Sequence, residues 1–130
     1  MDSGGLGYGM PAAVGIALAK PDQRVIAILG DGSSMYSIQA LWSAAQLNLR
    51  ILFLILNNRR YAALQEFAPQ FGFSPGESVQ GTELPGIDFV ALALGQGCSA
   101  LRVGLPSELE PALTRTFQST SPVLIEVAVA

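Results

Sequence analysis

The sequence predicts an α/β fold with three layers, a mostly parallel sheet lying between helices on both faces. Three observations lead there. Short apolar, β-branched runs recur at 25–29 (VIAIL), 51–56 (ILFLIL) and 122–127 (PVLIEV). They are apolar at nearly every position, as in strands covered on both faces. Segments with helical apolar spacing separate them, and such alternation implies parallel strands joined by crossover helices.

The elements follow in order. Residues 11–19 are small and apolar with Pro11 in the first turn, a helix start. A polar turn, KPDQR, leads into the strand VIAIL. Ile38, Leu41, Trp42, Ala45 and Leu49 lie on one face of a helix, which places all five toward the core. The strand 51–56 comes next, then Asn57-Asn58-Arg59-Arg60 and a short helical stretch from Tyr61 to Phe67. Residues 68–86, rich in Pro, Gly and polar groups, form a loop long enough to be functional or mobile. Asp88 caps a helix carrying Phe89, Leu92 and Ala93, which Gly95 or Gly97 ends. Residues 99–103 form a weak strand. Ser107 and Glu110 form a capping-box pattern for a helix with Leu109, Ala112, Leu113, Thr116 and Phe117 on one face, its start blurred by Pro111. The run 122–127 is the last strand.

Composition narrows the function. The 130 residues suit one domain. Only 13% are charged and half are apolar, which suggests buried surface against further domains or a second subunit. A net charge of −3 with no Lys/Arg cluster argues against nucleic acid. The absence of histidine excludes His-based acid–base and metal chemistry. One cysteine, Cys98, leaves no internal disulfide and fits a cytoplasmic protein. The apolar runs are too short to span a bilayer.

Two motifs carry chemistry. Gly30-Asp31-Gly32 follows one buried strand and Asn57-Asn58 follows the next. Neighbouring parallel strands would bring Asp31 and Asn58 to the same edge of the sheet, where such sheets bind ligands. A carboxylate and a carboxamide oxygen suit Mg²⁺ when phosphate oxygens and water complete the shell. Gly30 and Gly32 permit close approach of an anion. Ser33 can donate to a phosphate beside a helix N-terminus. A lone GDG would be a simple turn; the pairing with Asn-Asn gives it meaning. Upstream, GGLGYGMPAAVG fails the dinucleotide fingerprint, because Met10 stands at its last glycine position. Tyr61, Leu64 and Phe67 suit either the wall of a site or an ordinary core helix.

GDG followed after about two dozen residues by NN resembles the diphosphate-binding motif of thiamine-diphosphate-dependent enzymes, and GGLGYGMPAA resembles that family's glycine-rich segment. The resemblance implies thiamine diphosphate and Mg²⁺ as cofactors. It assigns the metal to Asp31, Asn58 and the backbone carbonyl of Arg60. Leu6 would wedge beneath the thiazolium ring, a carbonyl near Gly4 would accept from the pyrimidine amino group, and Tyr61 would reach toward a phosphate. The family more often has Gly or a small residue where Arg59 and Arg60 stand.

Within the family, YSIQALWSAAQLNL, RRYAALQEFA and LPGIDFVALA look most like the benzoylformate decarboxylase branch. That implies non-oxidative decarboxylation of a small 2-oxo acid to an aldehyde. An acetolactate-synthase-like carboligase and a non-enzymatic phosphate- or nucleotide-binding module are the alternatives. Residues 1–130 would form the C-terminal cofactor-binding domain without its first strand and helix and without two other domains. The missing pyrimidine-binding domain, from the same or a partner chain of a homo-oligomer, carries the family's activating glutamate. Glu66, Glu77, Glu83, Glu108, Glu110 and Glu126 match no motif for that role, so no catalytic residue is assigned here.

Overall fold

The computed structural model describes residues 5–74 and 76–130. Four strands form one all-parallel sheet. In chain order they are β1 (Val25–Gly30), β2 (Ile51–Asn57), β3 (Ser99–Val103) and β4 (Val123–Ala128), and in space β1-β2-β4-β3. The helices are α1 (Gly9–Ala19), α2 (Asp31–Met35), α3 (Ala40–Gln46), α4 (Ala62–Phe67), α5 (Phe89–Gly95) and α6 (Pro106–Thr116).

The all-apolar strands are buried because both faces are used. One face presents Ala27, Ile51, Phe53, Ile55 and Leu124 to Met10, Ala13 and Ala17 of α1, Leu41 and Ala44 of α3, and Phe89 and Ala93 of α5. The other presents Leu52, Val103, Val123 and Ile125 to Leu109, Ala112 and Leu113 of α6. This second layer lies over β3 and β4 and reaches Leu52 of β2. Ile26 and Ile28, on the same face of the edge strand β1, are therefore 48% and 63% exposed.

Two expectations need correction. The spacing from Ile38 to Leu49 predicts one helix burying all five apolar residues. The chain instead forms the short helices α2 and α3, linked by i→i+3 bonds such as Ser37 to Ser34 and Ala40 to Ser37. Ile38, Ala45 and Leu49 still pack against the larger core. Leu41 is fully buried, but Trp42 is 57% exposed. The second concerns α6, which starts at Pro106 rather than at a Ser107 cap. The Glu108 carboxylate accepts from the N–H groups of Gly104 and Leu105 at 2.9 and 3.0 Å. Those two bonds hold it below the usual carboxylate range. Pro111 lies inside the helix; it removes the bond to the Ser107 carbonyl, which sits at an exposed residue free to hydrate. Asp88 caps α5 as expected, accepting from Ala91 N–H at 3.0 Å.

Phe53 has no exposed surface and fills the centre of the larger core. Phe53→Ala is expected to destabilise the chain by about 3–5 kcal/mol. Ile28→Ala, on the uncovered face, should change stability by about 0.5 kcal/mol or less. Urea unfolding of the two variants checks the contrast.

Candidate cofactor site

β1 and β2 pair directly, with Gly30 opposite Leu56. The loops that leave their carboxyl ends are neighbours, so Asp31 and Asn58 come to the same corner despite 26 intervening residues (32–57). Both line one cavity of about 490 Å³. Leu6, Gly30, Gly32, Ser33, Arg60 and Tyr61 line it too, and so do Leu64 and Phe67. Thus every candidate residue among those described reaches this space; Gly4 lies outside the described residues. Leu56, Ala62, Ala63 and Val129 complete the wall. The sequence carried no signal for those four, because they are ordinary apolar residues placed there by the sheet.

Asp31 opens α2 and is 3% exposed. Its Oδ1 accepts from Gly32 N–H at 2.8 Å. Its Oδ2 is the one buried side-chain polar atom among the described residues with no hydrogen-bond partner. A carboxylate oxygen shut away from water and left unpaired is unfavourable unless a cation completes it. Among the described residues no group of three His, Cys, Asp or Glu could hold a metal by itself. A cation here would need oxygens from the backbone and from its ligand.

The backbone supplies one. Arg60 forms an antiparallel bridge with Glu83, flanked by Leu84 N–H to Arg59 O and Tyr61 N–H to Thr82 O, both 2.7 Å. In this register the Arg60 carbonyl points away from 82–84, and among the described residues no N–H donates to it. Arg60 N–H donates to Asn58 Oδ1 at 3.2 Å, which ties the side-chain candidate to the carbonyl candidate. The long loop 68–86 thus folds back to brace the Asn-Asn turn. The Arg59 and Arg60 side chains are exposed.

The glycine-rich segment is fastened to the same corner. Gly7, at φ 82, donates its N–H to Ser33 Oγ at 3.1 Å and accepts from Ser37 Oγ at 2.7 Å. Leu6 is thereby held at the cavity, 46% exposed. Among the described residues the Ser33 O–H donates to no partner. Gly32 packs under the Tyr61 ring, and a Cβ there would collide with it. Tyr61 meets Tyr36 edge to face, with centroids 6.2 Å apart. Burial, then Tyr36 and Asp31, push the Tyr61 phenol above its ordinary value.

This is a corner of a parallel α/β sheet where the GDG and Asn-Asn loops line one cavity. The sequence model described as "Thiamine pyrophosphate enzyme, C-terminal TPP binding domain" matches residues 2–127, and the chain belongs to that family. It is 49% identical over 125 residues to a benzoylformate decarboxylase of Pseudomonas aeruginosa, and 39% identical over 134 residues to a putative acetolactate synthase large subunit of Mycobacterium tuberculosis. These alignments take in 96% and 99% of the chain but 23% and 26% of the relatives, so the chain spans about a quarter of their length. Its fold matches the solved thiamine diphosphate-dependent 4-hydroxybenzoylformate decarboxylase of Rhodococcus jostii RHA1 with a TM-score of 0.89 and 46% identity, over 98% of this chain and 24% of that one.

The raised phenol has a pH consequence. The fold favours neutral Tyr61, so its contribution is complete below the unfolded value of 10.0 and is lost as pH rises through the higher folded value. Tyr61→Phe is expected to flatten that alkaline fall in melting temperature, a difference that thermal melts across the window would reveal.

Proposed function

We propose that this chain holds the diphosphate end of thiamine diphosphate through Mg²⁺, as part of a decarboxylase acting on a small 2-oxo acid of the benzoylformate kind. The unpaired, buried Oδ2 of Asp31 carries the reading. Asp31, the Asn58 carboxamide oxygen and the Arg60 carbonyl would hold the metal, all hard oxygens suited to it. Ser33 would donate its O–H to a phosphate. Gly30 and Gly32 would let the backbone approach, and Tyr61 would close the cavity over them. Leu6 would set the coenzyme's bend, with a carbonyl near Gly4 taking the pyrimidine amino group. Bound there, the coenzyme supplies the electron sink that release of carbon dioxide from a 2-oxo acid requires. The chain's own share is position and field.

Further parts of the reading concern what surrounds the chain. A pyrimidine-binding domain, of the same or a partner chain in a homo-oligomer, would complete the site. The exposed Tyr36, Trp42 and Leu94 support such a covering surface. A cytoplasmic setting rests on the lone, buried, unpaired Cys98. Among the described residues no helix is long and apolar enough to cross a membrane. A carboligase is the second reading, favoured by the 39% identity to a putative acetolactate synthase. Product analysis with pyruvate and with aromatic 2-oxo acids separates the two.

Asp31→Ala is expected to abolish Mg²⁺-dependent binding of thiamine diphosphate in titration calorimetry; unchanged affinity would remove Asp31 from the ligand set. The chain by itself is expected to show no decarboxylation of benzoylformate with coenzyme and Mg²⁺, since none of its glutamates is assigned the activating role. Aldehyde formation above a blank would refute this.

A further inference from the structure

Asn57, the first residue of the Asn pair, does not line the cavity. It faces Glu126. This carboxylate is 5% exposed, yet it matched no motif. It lies on β4 opposite Arg102 of β3 and beside Ile55 of β2. Its Oε1 accepts from Asn57 Nδ2 at 2.7 Å, and its Oε2 accepts from Arg102 Nε at 3.0 Å. The Arg102 guanidinium reaches on to Asp88 Oδ1 at 2.9 Å, the cap of α5. A continuous chain of bonds therefore runs from a helix cap through three strands to the Asn-Asn turn.

We propose that Glu126 is a positioning residue for the metal-holding turn, acting through the Asn57 side chain. This role rests on the proposed roles of Asn58 and Arg60. A carboxylate can only accept, so Glu126 dictates which end of the Asn57 amide faces it. With Nδ2 turned to Glu126, Oδ1 is turned the other way and accepts from Arg59 N–H at 3.0 Å. That bond closes the turn at Arg59, whose φ of 62 is a left-handed conformation rare for a side-chain-bearing residue. The turn in turn sets the Arg59 carbonyl against Leu84, and so directs the Arg60 carbonyl to the opposite side. Reversing the Asn57 amide would set its Nδ2 against the Arg59 N–H, donor to donor, and release the turn. Arg102 supplies the counter-charge and anchors the carboxylate, which strengthens both bonds.

The test uses donor–acceptor logic. In Glu126→Gln, the new amide has one acceptor for two donors, Asn57 and Arg102. Mg²⁺ titrated into the purified protein at saturating thiamine diphosphate is expected to bind about 10-fold to 100-fold more weakly. In the ligand-free protein, hydrogen exchange at the Leu84 and Tyr61 amides, which report the braced turn, should accelerate. The double variant Glu126→Gln/Asn57→Asp restores the pattern at unchanged total charge. The carboxylate at position 57 accepts from the new amide and from Arg59 N–H, and the amide oxygen keeps Arg102. Recovery of Mg²⁺ affinity and of slow exchange is expected.

Wild-type affinity in Glu126→Gln overturns the proposal, and so does a loss that the double variant does not reverse, since a plain ion-pair role predicts no such rescue. If Glu126→Gln does not fold, Asn57→Ala cuts the same link with the Glu126–Arg102 pair intact, and unchanged affinity there overturns it equally. A wild-type protein that binds no Mg²⁺ with the coenzyme refutes the cofactor reading itself. Exchange at Leu84 and Tyr61 then still decides whether Glu126 holds the turn.

Discussion

The site depends on the parallel pairing of β1 with β2. Residue by residue, from Val25 opposite Ile51 to Gly30 opposite Leu56, this ladder ends both strands at the same level. Parallel strands place like ends together, so the two departing loops share one corner. Antiparallel pairing, or a strand inserted between them, would separate Asp31 from Asn58 by the length or width of the sheet. The apolar content of β2 suits its central place, with both faces covered, while β1 pairs with it at the edge of the sheet and buries one face.

Around that corner the polar groups are held from several directions. Ser33 and Ser37 fasten the glycine-rich turn. Thr82 and Leu84 brace the Asn-Asn turn from the far side through backbone bonds. Glu126 and Arg102 hold Asn57 from within the sheet. Among the buried side-chain polar atoms of the described residues, the Asp31 Oδ2 stands out as the one without a partner. Hydrogen bonding is the right measure of such a site: an unpaired buried acceptor is worth more as a pointer than the cavity that contains it.

The proposed division of labour would also account for the low charge. A site that relies on a carboxylate, a carboxamide and backbone carbonyls needs few formal charges of its own, provided a divalent cation supplies the positive field. The five-residue α2 contributes few aligned peptide dipoles, so the metal and the local N–H groups would carry more of the task than a helix dipole. The aromatic and aliphatic side chains Tyr36, Trp42, Leu94 and Ile28 are exposed.

Much of this was legible in the sequence, for local reasons. The strand runs, the Asp88 cap and the spacing from GDG to Asn-Asn each depend on residues close together in the chain, and so they could be read from it. Pairs of motifs at strand ends then implied a shared edge. What tertiary structure decided was non-local. Trp42 is exposed beside the buried Leu41, although the helical period sets both on one face. The bridge between Arg60 and Glu83 freed a carbonyl that no side-chain pattern encodes. Glu126 looked like one unassigned acid among six; only the β3-β4-β2 register set it between Arg102 and Asn57, where a buried carboxylate governs the orientation of a neighbouring amide.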